Sequence, residues 1–232
     1  MVNKIMIGCP VRNRAWILPE YLKYLENLDY PAQYIQFCFV INNCTDATPE
    51  ILTEFANRHP GQVTLINKNR ELITGHKRGN YDLGRLAELR NILLTSFLQS
   101  GCEYLFSVDS DILIPAQVLT QLIEDDCDIV SALVCNGYEV NDIGLYNILN
   151  YREGCWEHIR GFPRDRVFKV DCTGAVCLIK RNVIEKHGVR YSAAYGAEDI
   201  GFCVHANAKG LGIWCDGRIE CQHVMNEKNI YI

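Results

Sequence analysis

Two carboxylates, Asp109 and Asp111, flank Ser110 directly after the apolar run Tyr104-Leu105-Phe106-Ser107-Val108. That run reads as a buried strand, so both acids emerge where the strand stops. In extended chain, residues i and i+2 point to the same side. Asp109 and Asp111 can therefore address one divalent cation, or one can hold the cation while the other holds a ligand hydroxyl. Hard cations such as Mg²⁺ take oxygen ligands and often share one or two carboxylates with a substrate's phosphates. A carboxylate pair at the carboxyl end of a strand in an α/β sheet is a candidate metal–diphosphate site. The plainer reading is turn or capping chemistry. Pro115 is a favoured first-turn residue for the next helix, and Asp111 lies too far upstream to cap it.

A second acidic pair, Glu198-Asp199, follows Tyr195-Gly196-Ala197 and precedes Ile200, Val204 and Ala208 at helical spacing. Acids at a helix start are expected from capping and the helix dipole, and alone that reading is the stronger. As chemistry, one of the two is a general base facing a bound acceptor. His223 is either a hydrogen-bonded structural residue or a neutral imidazole completing a coordination sphere begun by Asp111. Arg90, in Leu86-Ala87-Glu88-Leu89-Arg90-Asn91, either solvates a helix edge or reaches toward a diphosphate with its bidentate fork. Arg12 and Arg14 lie just past the first strand, where an anionic ligand would sit.

The elements that must position these residues alternate. Strands are expected over residues 5–9, 35–41, 63–66, 104–108 and 129–134, and helices over 16–28, from Thr48-Pro49-Glu50 onward, over 83–98 and over 115–123. Thr48 reads as the cap of its helix, with Pro49 in the first turn. Such alternation predicts an α/β fold: one Rossmann-like domain with a mostly parallel central sheet and helices on both faces. Its ligands bind beyond the carboxyl ends of the strands, where Pro10 to Arg14, Asn42 to Asp46 and Asp109 to Asp111 all fall. The alternation breaks over residues 136–167, an excursion that reads as a hairpin shaping an acceptor pocket. Its aromatics Tyr138, Tyr146, Tyr151 and Trp156 suit either sugar stacking or ordinary packing. Strands at 175–179 and 213–215 and a helix at 200–209 complete the chain, with no internal linker.

The chain has 232 residues, enough for one domain with a full core. Its net charge of −5 gives no nucleic-acid footprint, although Lys68, Arg70, His76, Lys77 and Arg78 form a local basic cluster suited to phosphates. Twelve cysteines without a C-x-x-C pair read as buried free thiols rather than disulfides or a zinc site. The expected setting is the reducing cytoplasm, with no signal peptide and no spanning helix. Peripheral membrane contact stays open.

Taken in order, the motifs resemble those of GT-A glycosyltransferases, in particular the family-2-like group of nucleotide-sugar enzymes. Ile7-Gly8-Cys9-Pro10-Val11-Arg12-Asn13-Arg14 is similar to the opening strand and nucleotide loop. Asn42-Asn43-Cys44-Thr45-Asp46 resembles an Asn-Asn-Ser-Thr-Asp segment, Leu86 to Asn91 an Ala-Ala-Arg-Asn helix, and Asp109-Ser110-Asp111 the D-x-D. Cys172-Thr173-Gly174-Ala175 resembles an acceptor-side strand, and Glu198-Asp199 the Glu-Asp catalytic motif. The resemblance covers nearly the whole chain, to about residue 225. It implies a donor half over 1–111 and an acceptor and catalytic half over 112–232. Asp111 would bind Mn²⁺ or Mg²⁺, with His223 a further ligand. Asp109 would contact the donor ribose, or the metal through water. Pro10, Val11, Arg12, Asn42 and Asp46 would line the nucleoside pocket, and Arg90 would face the nucleotide or its diphosphate. Asp199 would be the base and Glu198 would position acceptor or water. The implied reaction moves a sugar from a nucleotide-diphosphate sugar to a carbohydrate or other hydroxyl acceptor, with inversion. Asn42 stands where many relatives carry an acid that reads the base, which leaves the nucleobase open. Residues 68–82 form a charged segment that is either a flap over the donor or a solvated loop.

Two alternatives accompany this reading. A sugar-phosphate nucleotidyltransferase also uses carboxylates and a divalent ion, but usually carries a glycine-rich basic loop where this chain has Cys9-Pro10-Val11-Arg12-Asn13-Arg14. A non-catalytic nucleotide-sugar-binding domain would be signalled by loss of an acidic motif, and both are intact.

Overall fold

The structure is a computed structural model, and it describes residues 2–70, 82–137 and 141–226. In chain order the donor side comprises β1 (Ile5–Val11), α1 (Leu18–Glu26), β2 (Ile35–Ile41), α2 (Thr48–Arg58), β3 (Val63–Asn67), α3 (Leu83–Ser100) and β4 (Tyr104–Val108). Then follow β5 (Ile112–Leu113), α4 (Val118–Glu124), β6 (Ile129–Val134), β7 (Ile148–Arg152), β8 (Cys155–His158), β9 (Val167–Val170) and β10 (Cys172–Thr173). The chain closes with β11 (Val176–Lys180), α5 (Arg181–Glu185), α6 (Glu198–Ala208) and β12 (Ile213–His223).

One nine-stranded sheet runs β3-β2-β1-β4-β11-β6-β12-β5, with β9 also pairing β12. The expected parallel order holds across β3-β2-β1-β4 and between β6 and β12. β11 enters between β4 and β6 antiparallel to both, because the excursion after β6 returns the chain from the opposite end. That excursion contains a hairpin: β7 and β8 turn through Glu153 and Gly154, both at positive φ (51° and 86°), and β10 pairs the other edge of β7. A two-residue turn with both φ values positive matches strand twist.

Alternation along the strands sends one side chain to each face. Ile5, Ile7, Cys9 and Val11 of β1, with Phe37, Phe39 and Ile41 of β2, pack with α1, α2 and α4. Met6, Cys38 and Val40 pack on the other face with α3, α5 and α6. Gly8 is required for this layering, since a Cβ there would overlap the Cys38 carbonyl and crowd Leu93 of α3. Asp82 caps α3 by accepting from the Arg85 N–H at 2.9 Å, and Gly101, with φ 71°, ends it. Thr48 lies inside the first turn of α2 rather than capping it, and its Oγ1 accepts from the Arg14 N–H at 2.7 Å. All twelve cysteines are free and nine are buried. Among the described residues no helix is long and apolar enough to cross a membrane.

Candidate active site

The carboxyl ends of β1, β2 and β4 lie side by side, and the loops leaving them are stitched together. Asn42 N–H donates to the Val11 carbonyl at 3.0 Å. Asn13, at φ 49°, accepts from the Thr45 N–H at 2.8 Å. Asp46 accepts from Ala15 N–H (3.0 Å) and Thr48 N–H (3.1 Å). Burial raises the Asp46 pKa, but these hydrogen bonds outweigh it and leave it below the usual carboxylate value. Asp46 thus holds the two loops in place with its own oxygens. Pro10 is half-buried and Val11 buried at the end of β1, while Arg12 is half-buried and makes no ion pair among the described residues. The Asn42 side chain is held by Arg85, whose Nε and Nη2 both donate to Asn42 Oδ1 (3.3 and 3.1 Å).

Past β4, the Asp109 N–H donates to the Ala175 carbonyl at 2.9 Å, and Ala175 takes the left-handed conformation at φ 67°. The two residues after Asp109 carry the chain into β5, which pairs with the end of β12 so that Ile112 faces His223. Val224 N–H donates to the Asp111 carbonyl at 2.9 Å. This register brings His223 Nε2 to 3.8 Å from Asp111 Oδ2, while its Nδ1 lies 3.0 Å from Asn136 Oδ1. With Nδ1 on Asn136, Nε2 is the ring nitrogen that faces Asp111. Arg14 Nη2 donates to Asp111 Oδ2 at 2.9 Å, and its buried Nε has no partner among the described residues. Burial works to raise the Asp111 pKa, but His223 and Arg14 overcome it and hold the carboxylate below its ordinary value.

The second acidic pair opens α6, and Arg90 joins it to the first. From α3 the Arg90 side chain, 5% exposed, donates through Nε to Glu198 Oε1 at 2.9 Å and through Nη2 to Asp109 Oδ1 and Oδ2 at 2.9 and 3.2 Å. Nη1 lies 3.4 Å from Ser107 Oγ, Asp199 Oδ1 is 3.9 Å from Nε, and the guanidinium carbon sits 5.5 Å above the Tyr191 ring. Arg90 thus spends donors on carboxylates of both acidic motifs. Asn91 exchanges two 2.9 Å hydrogen bonds with the Tyr191 backbone and so fixes the segment leading to α6. Asp199 packs so closely on Gly174 that a Cβ there would overlap its Oδ2. Burial, the largest influence, pushes the Asp199 pKa up to about 7; the Arg90 charge opposes this, and Glu198 and Asp109 add to it. Burial likewise raises Asp109 in spite of Arg90. A carboxylate poised near neutrality, with 27% of its side chain exposed, can accept a proton from a bound hydroxyl.

Among the described residues no group of three His, Cys, Asp or Glu side chains gathers as a metal cluster. Asp111 and His223 are a pair, and the arginine seated on Asp111 marks where positive charge is favoured. Two protein ligands, with substrate oxygens and water completing the sphere, suit a hard divalent cation. Arg85 and Asn136 were not singled out in the sequence as parts of the site, and Gly174 stood there only within the acceptor-side strand motif. Arg85 and Arg90 both fall on the buried stripe of α3 beside Leu89, Leu93 and Phe97, and arginines at apolar spacing are the signal that could have found the first. Of the excursion's aromatics, Tyr146 is buried and bonds Glu220 at 3.1 Å, whereas Tyr151, 54% exposed, pairs with Trp156 on the hairpin. Tyr138 lies outside the described residues, as do His76, Lys77, Arg78 and most of the charged segment 68–82.

This fold, with one acidic motif at the carboxyl end of β4 and another at the start of α6, is that of the GT-A glycosyltransferases. Over 97% of the chain it matches a mannosyltransferase from Pyrobaculum calidifontis, solved with GDP-Man and Mn²⁺, at TM-score 0.63 and 18% identity, covering 58% of that chain. It also matches GalNAc-T7, solved with UDP, GalNAc and Mn²⁺, at TM-score 0.69 and 15% identity, covering 96% of this chain and 44% of that one. The model of the Anp1 family matches residues 2–160, and the chain belongs to that family. The mannan polymerase II complex anp1 subunit of Schizosaccharomyces pombe is 28% identical over 146 residues, 55% of this chain and 34% of the subunit. A glycosyltransferase 25 family member of Drosophila melanogaster is 27% identical over 131 residues, 51% of this chain and 21% of that protein. The matched stretch thus spans about a third or less of these two relatives.

Proposed function

We propose that this chain is a metal-dependent glycosyltransferase that moves a sugar from a nucleotide-diphosphate sugar to a hydroxyl acceptor with inversion. The observation that carries this reading is the bridge made by Arg90. One buried guanidinium holds Asp109, beside the Asp111–His223 pair, and Glu198, beside Asp199. One guanidinium shared by the two acidic motifs supports reading them as parts of one site.

Asp111 and His223 would hold Mn²⁺ or Mg²⁺, which when bound would neutralise charge on the departing diphosphate. Pro10, Val11, Arg12 and Asn42 would line the nucleoside pocket, Asp46 would keep its loops closed, and Asp109 would meet the ribose. Asp199 would take the proton of the acceptor hydroxyl as that oxygen attacks the anomeric carbon opposite the leaving group, giving inversion. Glu198, its Oε1 fixed by Arg90, would position Asp199 and the acceptor. The twelve free thiols support a reducing, cytoplasmic setting. The segment over 1–111 would serve the donor and 112–232 the acceptor, as parts of a single domain.

Asp199→Asn separates binding from chemistry. Donor affinity should stay within about twofold, while transfer falls roughly 10²–10⁴-fold, the size of general-base catalysis. Transfer at the unsubstituted rate would return Asp199 to a capping role.

A further inference from the structure

The ladder between β6 and β11 ends at Ser131. Beyond it, the backbone groups of the buried Ala132 and Val134 still need partners, and one side chain supplies them. Asn147, buried, accepts from the Val134 N–H through Oδ1 at 2.8 Å and donates through Nδ2 to the Ala132 carbonyl at 3.0 Å. Nδ2 also donates to the Gly174 carbonyl at 2.8 Å and lies 3.3 Å from Thr173 Oγ1. An N–H only donates and a carbonyl only accepts, so these partners settle which way the amide is turned.

Gly174 opens a tight turn. Val176 N–H donates back to the Gly174 carbonyl at 2.8 Å across Ala175, whose φ is 67°. Such a turn is rare and strained, and it persists only where its surroundings hold it. The turn meets both acidic motifs. The Ala175 carbonyl accepts from the Asp109 N–H at 2.9 Å, and a Cβ on Gly174 would stand 2.0 Å from Asp199 Oδ2. The other oxygen, Oδ1, is 3.9 Å from Arg90 Nε, beyond hydrogen-bond reach. Contact with the turn therefore bounds the carboxylate on the side away from Arg90. We propose that Asn147 is a positioning residue that pins the Gly174–Ala175 turn and so sets where the Asp199 carboxylate stands. Its bearing on catalysis rests on the reading of Asp199 as the base.

The test is a carbon-13 NMR titration of the Asp199 carboxyl in the full chain, in Asn147→Ala and in Thr173→Val, with Asp199→Asn to assign the resonance. Thr173→Val breaks the 2.7 Å bond from Thr173 Oγ1 to Ser131 Oγ in the same buried network but leaves Asn147 on Gly174. The charges acting on Asp199, from Arg90, Glu198 and Asp109, are the same in each titrated chain, as are Tyr191, Cys172 and Cys177 nearby. Asn147→Ala should let water reach the carboxylate and lower the Asp199 pKa from about 7 to below about 6. Thr173→Val should leave it in place. Above that pKa, Asn147→Ala should slow Mn²⁺-dependent hydrolysis of GDP-mannose or UDP-GlcNAc at least about tenfold in kcat, with KM within about twofold. An Asp199 pKa unchanged in folded Asn147→Ala, or lowered equally in Thr173→Val, would overturn the inference. If Asn147→Ala does not fold, Asn147→Asp, of the same size, takes its place: one carboxyl hydrogen cannot serve both carbonyls, and an unchanged Asp199 pKa there would overturn the inference equally. A chain that hydrolyses neither donor counts against the donor reading, while the NMR titration still decides the role of Asn147.

Discussion

Arg90→Met removes the charge that joins the two acidic motifs, and the consequence can be worked from burial. Glu198 is 5% exposed at its side chain, and its Oε1 is bound by Arg90 Nε. Asp109 keeps 32% of its side chain exposed, so water can replace part of what Arg90 gives it. Removing one partner of a buried pair costs about 3–5 kcal/mol. Because only the Glu198 side is fully enclosed, the lower figure applies, about 3 kcal/mol. For a domain of 150–250 residues each kcal/mol shifts Tm by about 2–4 °C. Thermal unfolding followed by circular dichroism should therefore show a fall of about 6–12 °C. The double variant Arg90→Met/Glu198→Gln neutralises the stranded carboxylate and should regain more than half of the loss, a coupling that independent sites do not show. A fall below about 2 °C, or no recovery in the double variant, would refute the view that Arg90 is the structural tie between the motifs.

Gly174→Ala puts a methyl where Asp199 Oδ2 sits, and a side chain yields more cheaply than backbone. The carboxylate should swing away, and transfer should fall at least about tenfold with Tm within about 3 °C of the unsubstituted chain; full activity would mean that the position of Asp199 is immaterial. Asp125, at the end of α4, shares Arg218 with the buried Asp216, and burial and the Asp216 charge push its pKa from 3.8 to about 6. A carboxyl raised in the folded state gives stability that is present below pH 3.8 and lost as pH rises through 6. Asp125→Asn should therefore raise Tm at pH 7.5, with the gain vanishing toward pH 4; an equal gain at both pH values would contradict a titrating Asp125.

What could be read in the sequence was what is local. Tyr104 to Val108 announces a strand by composition, and Asp109 and Asp111 stand at its end whatever the rest does. The same holds for Glu198 and Asp199 at the start of α6. The partner of Arg90 was not legible, because Glu198 is 108 residues away and only the packing of α3 against α6 brings them together. The direction of β11 was hidden for a similar reason: it depends on how the chain travels through residues 136–167. β12 reads as a strand only to residue 215, since Asp216-Gly217-Arg218 has turn composition. In the fold Asp216 is wholly buried on Arg218, and a register shift between Asp216 and Glu220 lets the strand continue to His223. Without that continuation His223 would not reach Asp111.

Thermal unfolding of the chain and of Asp111→Asn, each with UDP, GDP, CDP, dTDP and ADP and with or without Mn²⁺, bears most directly on the proposed donor site. A ligand at about 100 times its Kd stabilises the native state by roughly 2.7 kcal/mol, which corresponds to about 5–11 °C here. A shift of that size for one diphosphate, dependent on Mn²⁺ and absent from Asp111→Asn, is the predicted result. No shift with any diphosphate, or the same shift in Asp111→Asn, would contradict a metal–diphosphate site at Asp111.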